Sequence, residues 1–236
     1  MKTAILLLTC GRVEETRKTW ANNLPNTGTD CDLYWWDNTQ DPTERDQLLE
    51  IAANYQFKQV WHALQNSGIS VPFNMMMGVA FEDGCDFIVT MANDILEPKN
   101  WVRERVETAV DIPSAGVVAV PLADASCARY DRGNRCGHVV ESGLVIGNWL
   151  IRRELYDAIG GFTLDYGNYG PIDLDYCFRA WQMGFETLYI SDISAIHIGL
   201  NNEPEYQMEK EKLLADSWVK YRANIAMYRD GERLNQ

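Results

Sequence analysis

The chain has 236 residues, 46% of them hydrophobic, enough for one α/β domain with a sizeable core. Its formal charge of −13 argues against a general affinity for nucleic acid or anionic membrane, because phosphate binding is driven by Lys and Arg. No apolar run approaches the roughly 18 residues of a membrane span, and the six cysteines form no Cys-x-x-Cys pair, which points to reduced thiols in a cytoplasmic protein.

The opening Met1 to Cys10 has a Lys and then an apolar run. That run is shorter than the apolar region of a signal peptide and no small-residue cleavage site follows, so Thr3 to Leu8 reads as a first strand. It ends at Thr9-Cys10-Gly11-Arg12, ahead of a helix from about Val13 to Asn22. A glycine in such a strand-to-helix turn suits close approach of a ligand to backbone. Leu33 to Trp36 is a second strand, ending in Asp37-Asn38. Asp41, Pro42 and Glu44 mark the next helix start as N-cap, first helical position and capping-box acid. Gln59 to Trp61 is a short third strand. Asn66-Ser67-Gly68 and Val71 to Asn74 lead into a helix through Met75 to Phe81, whose methionines read as soft core filler.

Asp86 to Met91 is a further strand, and its apolar run ends abruptly in Asn93-Asp94. A run of that kind is a buried strand whose carboxyl end pushes one carboxylate out of the sheet, where the ligand crevice of an open α/β sheet lies. Taken alone, Asp94 could equally cap a turn before the helix expected from Pro98 to Val110, with Val102, Val106, Ala109 and Val110 as its buried stripe. Gly116 to Val120 is another strand. The alternation of strand and helix up to residue 120 predicts a mostly parallel sheet with helices on both faces.

From Pro121 to Glu141 the pattern dissolves into a polar stretch of about 20 residues, which is expected to be a mobile lid with no apolar face. Its Arg129, Tyr130, Arg132 and Arg135 would either be solvated or face an anionic ligand. Order returns at Ser142 to Ile151. A short helix then runs to Ile159, stopped by Gly160. Leu174, Cys177, Phe178 and Trp181 place the next helix, with Asp173 as its N-cap. Glu186 to Ile190 is a strand and Ala195 to Gly199 a short apolar piece. A final helix from about Glu205 to Arg229 turns Leu214, Trp218, Tyr221 and Ile225 inward.

Seven stretches, in this order, carry a family likeness: Thr9 with Arg12, Asp37-Asn38, Asn74 with Gly78, Asn93-Asp94, Arg152 through Phe162, Asp173 through Arg179, and His197. In that combination residues 3 to 199 resemble the family-2 glycosyltransferases of the GT-A fold. The resemblance implies an α/β fold over residues 1–236, a single Rossmann-like GT-A domain. Residues 1–120 would be the nucleotide-sugar-binding half, 121–200 the acceptor-side half and 201–236 a C-terminal helix packed outside. It further implies metal-dependent, inverting transfer from a nucleotide-sugar donor, a UDP-sugar foremost, to the hydroxyl of a glycan or other acceptor, with nucleic acid as a remoter acceptor.

By the same resemblance, Asp94 binds the divalent metal, Mn²⁺ or Mg²⁺, and His197 adds a ligand or is a satisfied core histidine. Hard oxygen ligands suit such an ion, which neutralises charge on a departing diphosphate. Asp37 contacts the nucleobase or is merely a turn residue, with Thr9, Arg12, Asn74 and Asn93 also on the donor side. Asp173 is the base that deprotonates the acceptor, or only a helix cap. Asp175, Arg179 and Trp149 belong to the acceptor side, Asp175 holding the loop with Arg179 available to pair with it.

Two positions depart from the family pattern. Ala92 replaces the first acid of Asp-x-Asp, which favours a non-catalytic sugar-binding remnant as one alternative, and Ile172 stands where an acid often precedes the catalytic Asp. A sugar nucleotidyltransferase is a second alternative, but it would want a Gly-rich basic loop where this chain has only Gly11-Arg12.

Overall fold

The computed structural model describes residues 1–123, 130–199 and 204–230. The strands are β1 (Thr3–Thr9), β2 (Asp32–Asp37), β3 (Phe57–His62), β4 (Phe87–Ala92), β5 (Ile95–Leu96), β6 (Ala115–Ala119), β7 (Asp131–Cys136), β8 (Val139–Ser142), β9 (Trp149–Arg152), β10 (Glu186–Ile190) and β11 (Ile196–His197). The helices are α1 (Val13–Asn23), α2 (Pro42–Ala52), α3 (Ser70–Glu82), α4 (Trp101–Asp111), α5 (Arg153–Ile159), α6 (Ile172–Gln182) and α7 (Pro204–Arg229).

Among the described residues, nine strands form one sheet in the order β3-β2-β1-β4-β9-β6-β10-β8-β7. β1 pairs in parallel with both β2 and β4. The chain therefore builds outward from β1 to β3, then returns to β1's other side. That reversal opens a crevice beyond the carboxyl ends of β1 and β4. β9 is antiparallel to β4 and to β6, and β8 to β10 and β7, so these two run against the direction of the rest.

Strand side chains alternate between the two faces. Ala4 and Leu6 of β1 enter one core with α3, α5 and α6, while Ile5 and Leu7 enter the other with α1, α2 and α4. Trp20 and Trp35 meet edge to face with centroids 5.4 Å apart in the second core, a contact worth about 1 kcal/mol beyond its buried area. Met76 and Met77 are fully buried, as filler should be, whereas Met75 is exposed and fills no core. Asp41 caps α2 by accepting the Glu44 backbone N–H at 3.0 Å.

Several expectations are corrected. The stretch Pro121 to Glu141 is no structureless loop: residues 131–142 form the β7–β8 hairpin at the sheet edge, and Val139 is buried in the core. Arg129 lies outside the described residues. Arg132 stacks 3.9 Å from the Trp181 ring centroid and pairs with Glu141 at 3.7 Å, and Arg135 pairs with Glu186 at 3.0 Å, so both answer charges of the protein itself.

In α4, Val110 is exposed and Arg105 is buried. Arg105 donates to both oxygens of Glu97 at 2.9 Å, which makes a charged residue a core residue. In α6 the buried face is Ile172, Asp175, Tyr176, Cys177, Arg179 and Ala180, with Trp181 exposed. The α7 helix packs on α6 outside the sheet, but it buries Ser217, Asn224 and Tyr228 and leaves Trp218 exposed. Polar bonds, not an apolar stripe, set its rotation: Ser217 donates to the Tyr169 carbonyl at 2.9 Å and Asn224 to Asp165 at 3.0 Å.

Candidate functional site

The last residues of β4 are followed by Asn93-Asp94, and a two-stranded antiparallel pair fixes what faces Asp94. β5 pairs with β11, setting His197 opposite Ile95, and the Ile198 N–H donates to the Asp94 carbonyl at 2.8 Å. His197 Nε2 thereby lies 3.3 Å from Asp94 Oδ2. The Arg12 guanidinium donates through Nη1 to that same oxygen. Arg12 reaches it from the turn before α1, where Gly11 and Arg12 both have left-handed backbone, φ 62° and 54°. That conformation is rare outside glycine, and Thr39 steadies it by accepting the Gly11 N–H at 2.8 Å.

A cavity of about 550 Å³ opens here, lined by Thr9, Arg12, Asn93, Asp94, Trp149, Asp173 and His197. Elements distant in sequence thus bring seven of the expected residues to one space. Asn93 is also a spacer, since its side-chain amide donates to Thr16 Oγ1 at 2.9 Å and to the Gly11 carbonyl at 3.3 Å. Trp149 packs edge to face on Phe162, centroids 5.5 Å apart.

Four expected residues do not line the cavity. Asp37 is fully buried, accepting from Thr9 Oγ1 at 2.9 Å and from the Thr39 N–H at 3.0 Å, while Arg45 Nε and His62 Nδ1 each lie 3.5 Å from its Oδ2. It shapes the turn behind Thr9, and Asn38 is the neighbour that reaches the cavity. Asn74 donates to the Phe162 carbonyl and accepts the Phe162 N–H, both at 2.7 Å. Asp175 and Arg179 are fully buried. Asp175 accepts from Arg179 Nε at 2.8 Å, Tyr166 at 2.7 Å and Tyr228 at 2.9 Å.

Asp173 is not the N-cap of α6. The capping position is Pro171 and makes no side-chain bond, so Asp173 sits in the first turn. It is half-buried, and loss of solvent pushes its carboxyl up to about 6, partly offset by a backbone hydrogen bond. Asp94 and His197 offer a hard oxygen and an imidazole nitrogen to a divalent ion. Two ligands at right angles, each about 2.1 Å from an ion, sit about 3.0 Å apart, so their 3.3 Å separation fits. Among the described residues no third His, Cys, Asp or Glu joins them.

Reading strand ends and charged pairs did not find Asn148, Gly199 or Lys210, which also line the cavity. Asn148 accepts the Ala92 N–H at 2.8 Å and donates to Glu97 at 2.9 Å, so it ties the β4 end to the buried Arg105–Glu97 pair. Its place after Gly147, at a break in the apolar run, was the only available signal. Among the described residues no helix is long and apolar enough to cross a membrane.

No protein-family model matches the sequence, and no curated protein does. Solved structures do match. The structure of GalNAc-T7 with UDP, GalNAc and Mn²⁺ superposes with a TM-score of 0.67 at 12% identity, covering 84% of this chain and 44% of that one. The mannosyltransferase PcManGT from Pyrobaculum calidifontis, in complex with GDP-Man and Mn²⁺, superposes with a TM-score of 0.70 at 14% identity, covering 94% of this chain and 63% of that one. The chain thus spans less than two thirds of either neighbour's length. Its mostly parallel α/β sheet and, among the described residues, seven α-helices match the GT-A glycosyltransferase fold of these neighbours.

Proposed function

We propose that this chain is a metal-dependent glycosyltransferase that moves a sugar from a nucleotide-sugar donor to an acceptor hydroxyl with inversion. The observation that carries the reading is the convergence of Asp94 and His197, 3.3 Å apart, on the same cavity as Asp173. Both structural neighbours hold Mn²⁺, one with UDP and the other with GDP-Man, which supports a nucleoside diphosphate at that pair. Asp94 and His197 would hold the divalent ion, which when bound neutralises charge on the departing diphosphate. Thr9, Asn38 and Arg12 line the donor side, and the Arg12 guanidinium is one of two lining cations, with Lys210, available to phosphate oxygens.

Asp173 takes the acceptor's hydroxyl proton as the new C–O bond forms at the anomeric carbon and the bond to the β-phosphate oxygen breaks. Its carboxyl, pushed up to about 6, is ionised at neutral pH yet more basic than an ordinary carboxylate, as general-base catalysis favours. Asp175 and Arg179 position the turn that carries it. Trp149 and Phe162 wall the space beside it.

A donor-hydrolysis screen of UDP-, GDP- and dTDP-sugars with Mn²⁺ or Mg²⁺ tests the reading without an acceptor. Hydrolysis of at least one donor that stops on adding EDTA and in Asp94→Asn is expected. Failure of every donor, or hydrolysis indifferent to EDTA, contradicts it.

A further inference from the structure

Asp94 Oδ2 is one atom with two suitors. It lies 3.3 Å from His197 Nε2, and the Arg12 guanidinium donates to it through Nη1. Gly199 closes the third side: a Cβ there would stand 2.4 Å from Asp94 Cβ, 2.7 Å from Asp94 Oδ2 and 2.6 Å from Arg12 Nη1. A divalent ion on Oδ2 carries its own shell of ligands about 2.1 Å away. A guanidinium in contact with that oxygen occupies the space the ion and its ligands would take, and it repels the ion by like charge. Ion and guanidinium therefore exclude each other at Oδ2. The left-handed backbone of Gly11 and Arg12 aims the side chain at Asp94 from beside the cavity it lines, and a guanidinium forks onto phosphate oxygens as readily as onto carboxylate.

We propose that Arg12 is a latch on the metal site. Its guanidinium holds Asp94 while no ion is bound, and it moves onto the donor's diphosphate when the ion takes Oδ2. This rests on the metal-dependent reading above. It makes ion and nucleoside diphosphate bind cooperatively, each tightening the other by the same factor, because linkage is reciprocal.

The test is a titration of Mn²⁺ followed by the electron paramagnetic resonance of the free ion, with and without UDP or GDP, on the whole chain and on Arg12→Asn. Asparagine tolerates left-handed backbone, so the turn is kept and the cation removed; Arg12→Met is read in the same way should R12N not fold. For the native chain the nucleotide tightens Mn²⁺ by about 10-fold or more, within the usual range of coupling between sites. Without nucleotide, R12N binds Mn²⁺ at least about 3-fold tighter than the native chain, and the nucleotide's effect shrinks toward unity. If R12N alone binds Mn²⁺ no tighter than the native chain, while the native chain still responds to nucleotide, the latch is overturned and the glycosyltransferase reading stands. Absence of Mn²⁺ binding by both chains under every condition overturns both.

Discussion

Tyr228, in the last turn of α7, donates a hydrogen bond to Asp175 Oδ2 at 2.9 Å, 53 residues away in the sequence. The same oxygen accepts from Tyr166, and Oδ1 accepts from Arg179. The outer helix is thus fastened to the turn that presents Asp173, through a carboxylate with no exposed surface.

Asp175→Ala leaves the buried Arg179 with its carbonyl acceptors but without its counter-charge, and removing one partner of a buried pair costs about 3–5 kcal/mol. Tyr228→Phe removes one donor to the charged carboxylate and costs about 1.5–3 kcal/mol. Urea unfolding of both variants checks the order. An Asp175→Ala loss no larger than that of Tyr228→Phe would show that the network does not hold the fold.

Asp173 works in the opposite direction. Its carboxyl is pushed up from 3.8 to about 6 in the folded chain, so between those values the folded state holds the proton more tightly than the unfolded one. Stability therefore falls as pH rises through that window, and at pH 7 the ionised group costs on the order of 1–3 kcal/mol. Asp173→Asn should raise the melting temperature at pH 7, leave it nearly unchanged below about pH 4, and lower transfer by about two orders of magnitude or more. A variant less stable than the native chain at pH 7, or one that transfers normally, contradicts the role given to this residue.

Gly199→Ala puts a Cβ where Asp94 and Arg12 already stand. Since a contact at 2.4 Å forces a shift, Mn²⁺-supported nucleotide binding should weaken by about 10-fold or more, an order set by misplacement of a ligand-bearing side chain. Calorimetry on G199A measures this, and native affinity would show that the Asp94 environment has room to spare.

The β7–β8 hairpin is expected to be a structural edge. Arg132→Ala removes the stack on Trp181 and the pair with Glu141, costing about 1 kcal/mol, with donor hydrolysis within about 2-fold of native. A large fall in hydrolysis without loss of stability would return the hairpin to the site.

Much of this was legible in the chain. The β4 run ending in Asn93-Asp94 and the Asp41 cap of α2 announce themselves, because each rests on contiguous residues with one local solution. The β5–β11 pair was not, since two-residue strands have no periodicity to read, yet it is what brings His197 to Asp94. The pairing of Asp175 with Arg179 four residues on is legible and is present at 2.8 Å, but apolar counting turns Trp181 and Trp218 inward and gives no sign that Asp175, Arg179 and Tyr228 are buried. The burial of this pair is completed by Tyr228, 53 residues away, a partner visible only in the fold. The hairpin was hidden for a related reason: every residue of β7 is exposed, so no alternation marks it.

Calorimetric titration of UDP and GDP into the native chain and into Asp94→Ala, each with Mn²⁺ and with EDTA, bears most directly on the role of Asp94. Mn²⁺ should tighten at least one nucleotide by about 10-fold or more in the native chain, within the range of site coupling, and by nothing measurable in the variant. Equal affinity with Mn²⁺ and with EDTA in the native chain would contradict a metal-held diphosphate at Asp94.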